Sequence, residues 1–347
     1  MRHIRNLLAA SLILPVLALE AATPANAAGA PLYTVTQSIP LGAPDRWDYL
    51  TYDRLSHRVY IAHETDITVV DGRSGNVIGR VEVPGANGVA IVPSIGKGYA
   101  GSRTQKSALI FDLSTLKVLK RLPADDDTDA VIYDPFSKRV FIMDGDPHNI
   151  TVIDTGTDTV IAHVPLEGKP EFASADGAGK LFVNITDKKE IQRVDTKTLR
   201  IDATWPITQC EGPHGLSIDP AAHRLFASCT NSRLMVVDAT NGRTLASLPI
   251  GKGSDATAFD GKRMRAFSSN RGGTLSVVQE DGPNHFESLG ETPTQPLART
   301  MTVDPVSGRI YLVAADRIER DPKATDPRKR YGIRPGSVRL LFADPPP

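Results

Sequence analysis

The chain of 347 residues is 40% hydrophobic, 23% charged and only 6% aromatic, the composition of a soluble globular protein and not of a disordered or fibrous one. Forty Lys and Arg balance 40 Asp and Glu, so no global field draws the molecule onto nucleic acid or anionic lipid, which argues against a general polyanion binder. The 28 Gly and 26 Pro punctuate many short elements, and no stretch beyond the N-terminus keeps a helical period over several turns, which argues against a helix bundle.

At the N-terminus Arg2 and Arg5 precede the apolar run 7–19, and Ala25-Asn-Ala27 offers a small-x-small cleavage pattern. This predicts a secretory signal peptide over 1–27, leaving 28–347 as the mature chain. A transmembrane anchor fits less well, because the run contains Pro15 and falls short of the ~20 residues a spanning helix needs. The expected location is therefore the periplasm or the medium, with no membrane span. In an oxidising compartment Cys210 and Cys229 can form one disulfide; two buried free thiols are the other reading. Their spacing suits no zinc or haem motif.

The segment Leu32–Pro40 has the pattern of an outer strand. A unit then recurs: an apolar strand ending near Asp-Pro, a basic turn, a second strand, and a third strand ending in Asp. The second strand carries Tyr60, Tyr99, Phe141, Phe182, Phe226, Phe267 and Tyr311, which stand 39 to 44 residues apart. The third strand ends at Asp71, Asp112, Asp154, Asp195 and Asp238, weakening to Gln279. A turn rich in Gly, Thr and Asn leads to a fourth strand such as Asn76–Val83. Four short strands per repeat and seven repeats predict an all-β, seven-bladed β-propeller. The last repeat has a third strand at Val338–Phe342 but no fourth. The N-terminal strand is therefore expected to complete that blade and close the ring, removing an open edge. The mature chain is expected to be a single domain and a monomer.

At Leu181-Phe-Val-Asn184 and its equivalents the repeat resembles the YVTN-repeat, YncE-like family of bacterial propellers over nearly all of the mature chain. The resemblance implies the propeller fold and a binding or scaffold role. Virginiamycin-type lyases share the seven-bladed plan, but their recurring Asp-Gly-x-x-Trp-Phe pattern is absent, so none of their catalytic residues carries over.

In a propeller blade the first strand lies nearest the axis, and its start faces the usual ligand side. Counting back from the Asp-like strand ends places Asp48, Gly88 or its neighbour Asn87, Asp129, Glu171, His214, Asp255 and Arg299 around one ring. Arg299 is expected between Asp255 and Asp48 as an ion-pair cluster. The other arc, Asp129, Glu171 and His214, has no basic ring member. Carboxylates ~6 Å apart at an effective dielectric of ~20 repel by about 2.8 kcal/mol, or about two pKa units. Either one stays protonated and serves as a general acid, or a divalent metal ion shares the site. The plain alternative is a polar rim that hydrogen-bonds channel water. His63 follows the second strand of repeat one and is a further ligand candidate or a solvated loop residue; His148 is placed similarly. A Cys210–Cys229 bond would stiffen the approach to His214.

Between the last two strands lies an insertion, 316–337, with seven Lys and Arg against Glu319, Asp321 and Asp326 beyond its first residue. It is expected to overhang the ring as a lid for an anionic partner or to be a solvated loop. The acidic run Asp125–Asp127 is a possible partner for it. No nucleophile elbow, Walker loop, dinucleotide fingerprint or haem motif occurs, and nucleotide, flavin and haem are not expected. One basic loop without interleaved aromatics is weak ground for nucleic-acid binding. The expected function is an exported binding protein whose pore mouth takes a small polar or anionic ligand, a peptide or a cation. The alternatives are a metal-assisted lyase or hydrolase using Asp129, Glu171 and His214, and a protein-interaction scaffold.

Overall fold

A computed structural model describes residues 32–346; the expected signal segment lies outside the described residues. Apart from one short 3-10 turn, Pro93–Ile95, and the single α-helical turn Pro327–Arg330, the regular structure is antiparallel β-strand. The strands form an all-β propeller of four-stranded blades, and in four of the sheets the first strand is followed outward by the second, third and fourth of the same repeat.

The number of separate sheets corrects the expectation. Five sheets have four strands, and one has six, so six propeller sheets stand where seven were expected. The reason lies in repeats one and two, where the chain passes between strands without a break. The run Arg58–Asp71 extends over 14 residues and contains Glu64 at φ +52°. The Gly72 N–H donates to the His57 carbonyl at 2.7 Å, so the run returns to its own start. The 16-residue strand Val77–Val92 then pairs with Asp66–Val70 through its first half and with Lys97–Ser102 through its second. It is at once the outer strand of repeat one and the inner strand of repeat two. All seven aromatic residues of the second strands, from Tyr60 to Tyr311, are at most 1% exposed and fill the space between sheets.

Ring closure follows the expected route. The strand Thr34–Pro40 pairs antiparallel with Arg339–Asp344, from Thr34 opposite Asp344 to Pro40 opposite Arg339. Tyr33, just ahead of it, is fully buried with its ring edge-on to Phe267 at 5.3 Å.

The recurring aspartates have a local cause. At the end of third strands the carboxylate accepts backbone N–H groups of the following turn: Asp71 from Arg73 and Ser74, Asp112 from Ser114 and Thr115, Asp154 from Gly156 and Thr157. First-strand ends use the same device, as when Asp134 accepts from Phe136 and Ser137. A short carboxylate reaching two N–H groups is the side chain that such a turn selects. The basic residue opening the second strand braces the next repeat: Arg58 donates to Leu113 O, Arg139 to Thr196 O, and Arg309 across the closure to Gly72 O.

Repeat six lacks the third-strand aspartate and carries Gln279-Glu280 instead. Glu280 is 5% exposed and one of its oxygens has no hydrogen-bond partner among the described residues. Burial pushes its carboxyl up to about 7, Asp219 adds to the shift and Arg224 opposes it. The fold holds this proton more tightly than the unfolded chain does, so the associated stability is present at low pH and is lost as pH rises through about 7. Glu280→Gln is therefore expected to be more stable than the parent at about pH 8, by up to about 3 kcal/mol, and equal to it near pH 4. Urea unfolding at both pH values checks this; equal stability at pH 8 would contradict it.

Candidate functional site

All but one of the candidate ring positions open onto a single cavity of about 580 Å³: Asp48, Asn87, Asp129, Glu171, His214, Asp255 and Arg299 line it, and Gly88 does not. Each comes from a different repeat and stands at or just before the start of its inner strand, as the seven inner strands touch in succession and the last meets the first. The one-residue ambiguity in repeat two resolves to Asn87, whose Nδ2 donates to Asp129 Oδ1 at 2.7 Å. Gly88 is needed for backbone approach, because a Cβ there would come within 2.2 Å of the Asp129 carbonyl.

The residue after each ring member sets the next layer. Gly88, Ala130, Gly215 and Ala256 are small, and Tyr49 and Phe172 occupy the space they leave. Phe172 lines the cavity as its apolar floor and packs against the cores of three neighbouring groups of strands, with the Tyr49 ring 4.5 Å behind it. This floor escaped the sequence reading, which followed the ionisable positions; the alternation of side chains along a strand was the signal for it.

The ring carries one tight ionic cluster. Arg299 Nη1 lies 3.0 Å from Asp255 Oδ2 and its Nη2 3.4 Å from Asp48 Oδ2, the bracketing expected from ring order. Arg299 also donates to the Trp47 carbonyl and sits over the Trp47 ring. The two arcs are not separate, however. Asp255 is shared: His214 Nε2 lies 2.9 Å from its Oδ1, and Arg271 Nη2 lies 2.7 Å from the same atom. The same His214 nitrogen is 3.5 Å from Glu171 Oε1.

These contacts separate the titrations. Burial alone would raise Asp255, but Arg299, the hydrogen bond from His214 and Arg271 hold its carboxyl far below the ordinary range. Burial raises Asp129 well above that range, and the charges of Glu171 and Asp48 add to it. Glu171 is raised by burial against the opposing charge of His214. Asp48 is raised by burial although Arg299 opposes it. His214 is depressed by burial, but the Asp255 hydrogen bond and the Glu171 charge outweigh this and lift it above its usual value. The site therefore sets a depressed carboxyl, Asp255, beside carboxyls whose affinity for a proton is raised, Asp129 and Glu171.

Other expected contributors lie elsewhere. His63 is fully buried and faces inward: its Nε2 meets the Pro44 carbonyl at 2.6 Å and its Nδ1 the Thr68 hydroxyl at 3.1 Å, so it is a core residue and does not line the cavity. Burial depresses its pKa, and the Pro44 contact opposes this. His148 takes a positive φ of 56° in a turn and does not line the cavity either. Asp129, Glu171 and His214 do not bring three ligand atoms within 4.8 Å of one another; His214 turns to Asp255, and among the described residues the one such group is elsewhere. Cys210 and Cys229 are joined as a disulfide with Cα atoms 5.3 Å apart, in the repeat that carries His214.

The insertion is less free than a solvated loop. It forms a short hairpin, Arg317–Glu319 with Tyr331–Ile333, and Ile333 reaches the cavity wall. Two of its cations pair within it, Arg330 with Glu319 and Arg334 with Asp316, while Arg317 and Arg320 line a second cavity beside Arg271 and Arg299. The run Asp125–Asp127 does not pair with it. His163 lies beside Asp125, Lys106 beside Asp126, and Lys169 and Arg103 beside Asp127, because those groups are brought by neighbouring strands of repeats two to four.

No family model matches the chain. It is 23% identical over 246 residues to the uncharacterized protein YncE of Salmonella typhimurium and, to the same degree, to that of Salmonella typhi, covering 66% of this chain and 69% of each relative. These similarities agree, weakly, with the YncE-like resemblance of the repeat. Among solved structures it superposes on a chain of Kuenenia stuttgartiensis hydrazine synthase with a TM-score of 0.69 at 15% identity, covering 77% of this chain and 92% of that one. A chain of a mitotic checkpoint complex gives a TM-score of 0.72 at 12% identity, covering 95% and 98%. At such identities the likeness concerns the fold alone. Among the described residues no helix is long and apolar enough to cross a membrane.

Proposed function

We propose that this chain is an exported propeller that binds a small polar anion, a carboxylate or the acidic end of a peptide, at the pore mouth. One observation carries the reading: a cavity walled by Arg46, Arg103, Lys169, Arg271 and Arg299 also holds Asp129 and Glu171, whose carboxyls burial raises above their ordinary range. Five basic side chains, with His214 lifted above its usual value, line the cavity beside these proton-holding carboxyls and favour an anionic guest. Protonated carboxyls donate hydrogen bonds to an incoming anion, and guanidinium groups match its oxygens. The apolar floor at Phe172 suits a short hydrocarbon body. Residues 1–27 and the Cys210–Cys229 pair support export.

The sign of the pH dependence tests this. As pH rises through the raised Asp129 and Glu171 titrations the cavity gains negative charge, so affinity for an anion is expected to fall. Calorimetric titration with acetate, succinate, glutamate and an acidic tripeptide should find a binder whose affinity drops at least about tenfold over that rise. Asp129→Asn with Glu171→Gln keeps hydrogen-bond donors without a titration and should flatten the profile. An affinity that rises with pH, or no binding across the panel, would refute the reading. General-acid chemistry is a second reading, favoured by the raised Glu171 carboxyl 3.5 Å from His214; turnover lost in Glu171→Gln with binding retained would identify it.

A further inference from the structure

A second polar group lies outside the pore, in repeat three. Asp144 ends the strand Arg139–Asp144, His163 lies on the outer strand Thr159–Pro165, and Asp125 lies in the loop ahead of Thr128–Asp134. One donor atom from each lies within 4.8 Å of the other two, and no other three such side chains do so among the described residues. His163 Nδ1 is 3.0 Å from Asp125 Oδ2.

The group has the composition of a ligand set, and among the described residues its only ion-pair contact is the one between His163 and Asp125. Asp144 is fully buried; the Thr151 N–H and hydroxyl both donate to its Oδ2, while its Oδ1 has no partner. Asn149 donates to Asp125 Oδ2 at 2.7 Å and its own buried Oδ1 is also unpartnered. Among the described residues neither Asp125 nor Asp144 has a lysine or arginine within 4.0 Å. Two neighbouring carboxylates, one of them fully buried, call for a positive charge. The structure offers a buried anchor with two half-exposed arms, since the side chains of His163 and Asp125 are 45% and 40% exposed. That arrangement leaves an entry path for an ion.

We propose that Asp125, Asp144 and His163 bind one first-row divalent cation, with zinc the expected occupant. Two carboxylates and one imidazole match zinc, whereas calcium requires six to eight oxygen donors. Ligands at ~2.1 Å from a tetrahedral ion stand ~3.4 Å apart, so the exposed arms need to close by only about an ångström onto Asp144. Binding replaces the proton on His163 Nδ1 and its hydrogen bond to Asp125. The same loop carries Asp127 and leads into the strand that carries Asp129, both of which line the pore cavity, so the ion would brace the wall of that site without entering it.

Competition between the chelator-stripped, untagged full chain and a chromophoric zinc chelator tests the site, with cobalt substitution giving a visible spectrum of the bound ion. One zinc per chain is expected. His163→Ala, at a half-exposed position that the fold tolerates, and Asp144→Asn should each weaken it by at least about tenfold. His214→Ala, in the pore, should leave it unchanged. No zinc uptake by folded parent protein, or equal affinity in His163→Ala, would overturn the proposal. So would loss of zinc in His214→Ala, which would move the ion to the pore. Anion binding in the pore is read separately, so either proposal can fail without the other.

Discussion

Arg299→Ala is expected to destabilise the fold by about 3–5 kcal/mol, because it strips the central charge from a buried cluster. The guanidinium lies against both Asp255 and Asp48 and is itself only 17% exposed. Burial acts to lower its pKa, but the two carboxylates more than compensate and hold it above its ordinary value. Without it, Asp255, whose side chain is 3% exposed, keeps only His214 and Arg271 to balance its charge. Arg299→Lys should recover part of the loss, since a point charge cannot reach Asp255, Asp48 and the Trp47 carbonyl together. Arg299→Ala combined with Asp48→Asn should lose less than Arg299→Ala alone. Denaturant unfolding of the three variants decides it; a loss under about 1 kcal/mol for Arg299→Ala would mean that water balances the cluster instead.

Removing residues 32–40 is expected to abolish stable folding. The segment supplies the outer strand of the last sheet, in register from Thr34 to Pro40, and the fully buried Tyr33. Deleting a buried aromatic side chain alone costs about 3–5 kcal/mol, against a total stability of about 5–15 kcal/mol for a typical protein. The truncation also bares the edge of Arg339–Asp344, a template for intermolecular pairing. The expected result is insoluble protein; Tyr33→Ala should remain soluble with a lowered unfolding midpoint. A truncated chain that unfolds at the parental temperature would show that the strand is not needed for closure.

Much of the architecture was legible because the repeat unit is local. A second-strand aromatic every 39 to 44 residues marks an interior position, and all seven are buried. The turn aspartates were visible as a pattern, and the structure supplies their cause in N–H groups two and three residues onward. The merging of repeats one and two was not legible. It depends on strand runs passing through Glu64 and through Val77–Val92 without a break, although Pro84-Gly85 and Asn87-Gly88 in the second run signal a turn.

The ring residues were found by counting, since equivalent positions in a closed repeat must face one axis. Their pairing was not found that way. His63, Asp144, Cys229 and Asn270 all stand three residues after the second-strand aromatic, yet one binds Thr68, one lies in an ionic group, one forms a disulfide and one bonds Thr274 and Ser276. Sequence by itself determined the propeller, its closure by the N-terminal strand and the identity of the pore-mouth ring, because short-range periodicity encodes which face each side chain takes. Tertiary structure alone decided that His214 turns to Asp255, that Phe172, backed by Tyr49, forms the floor, and that Asp125 meets Asp144 and His163. Each of those contacts joins residues brought together by packing, and their distances and burial set the charge states on which any chemistry at the site depends.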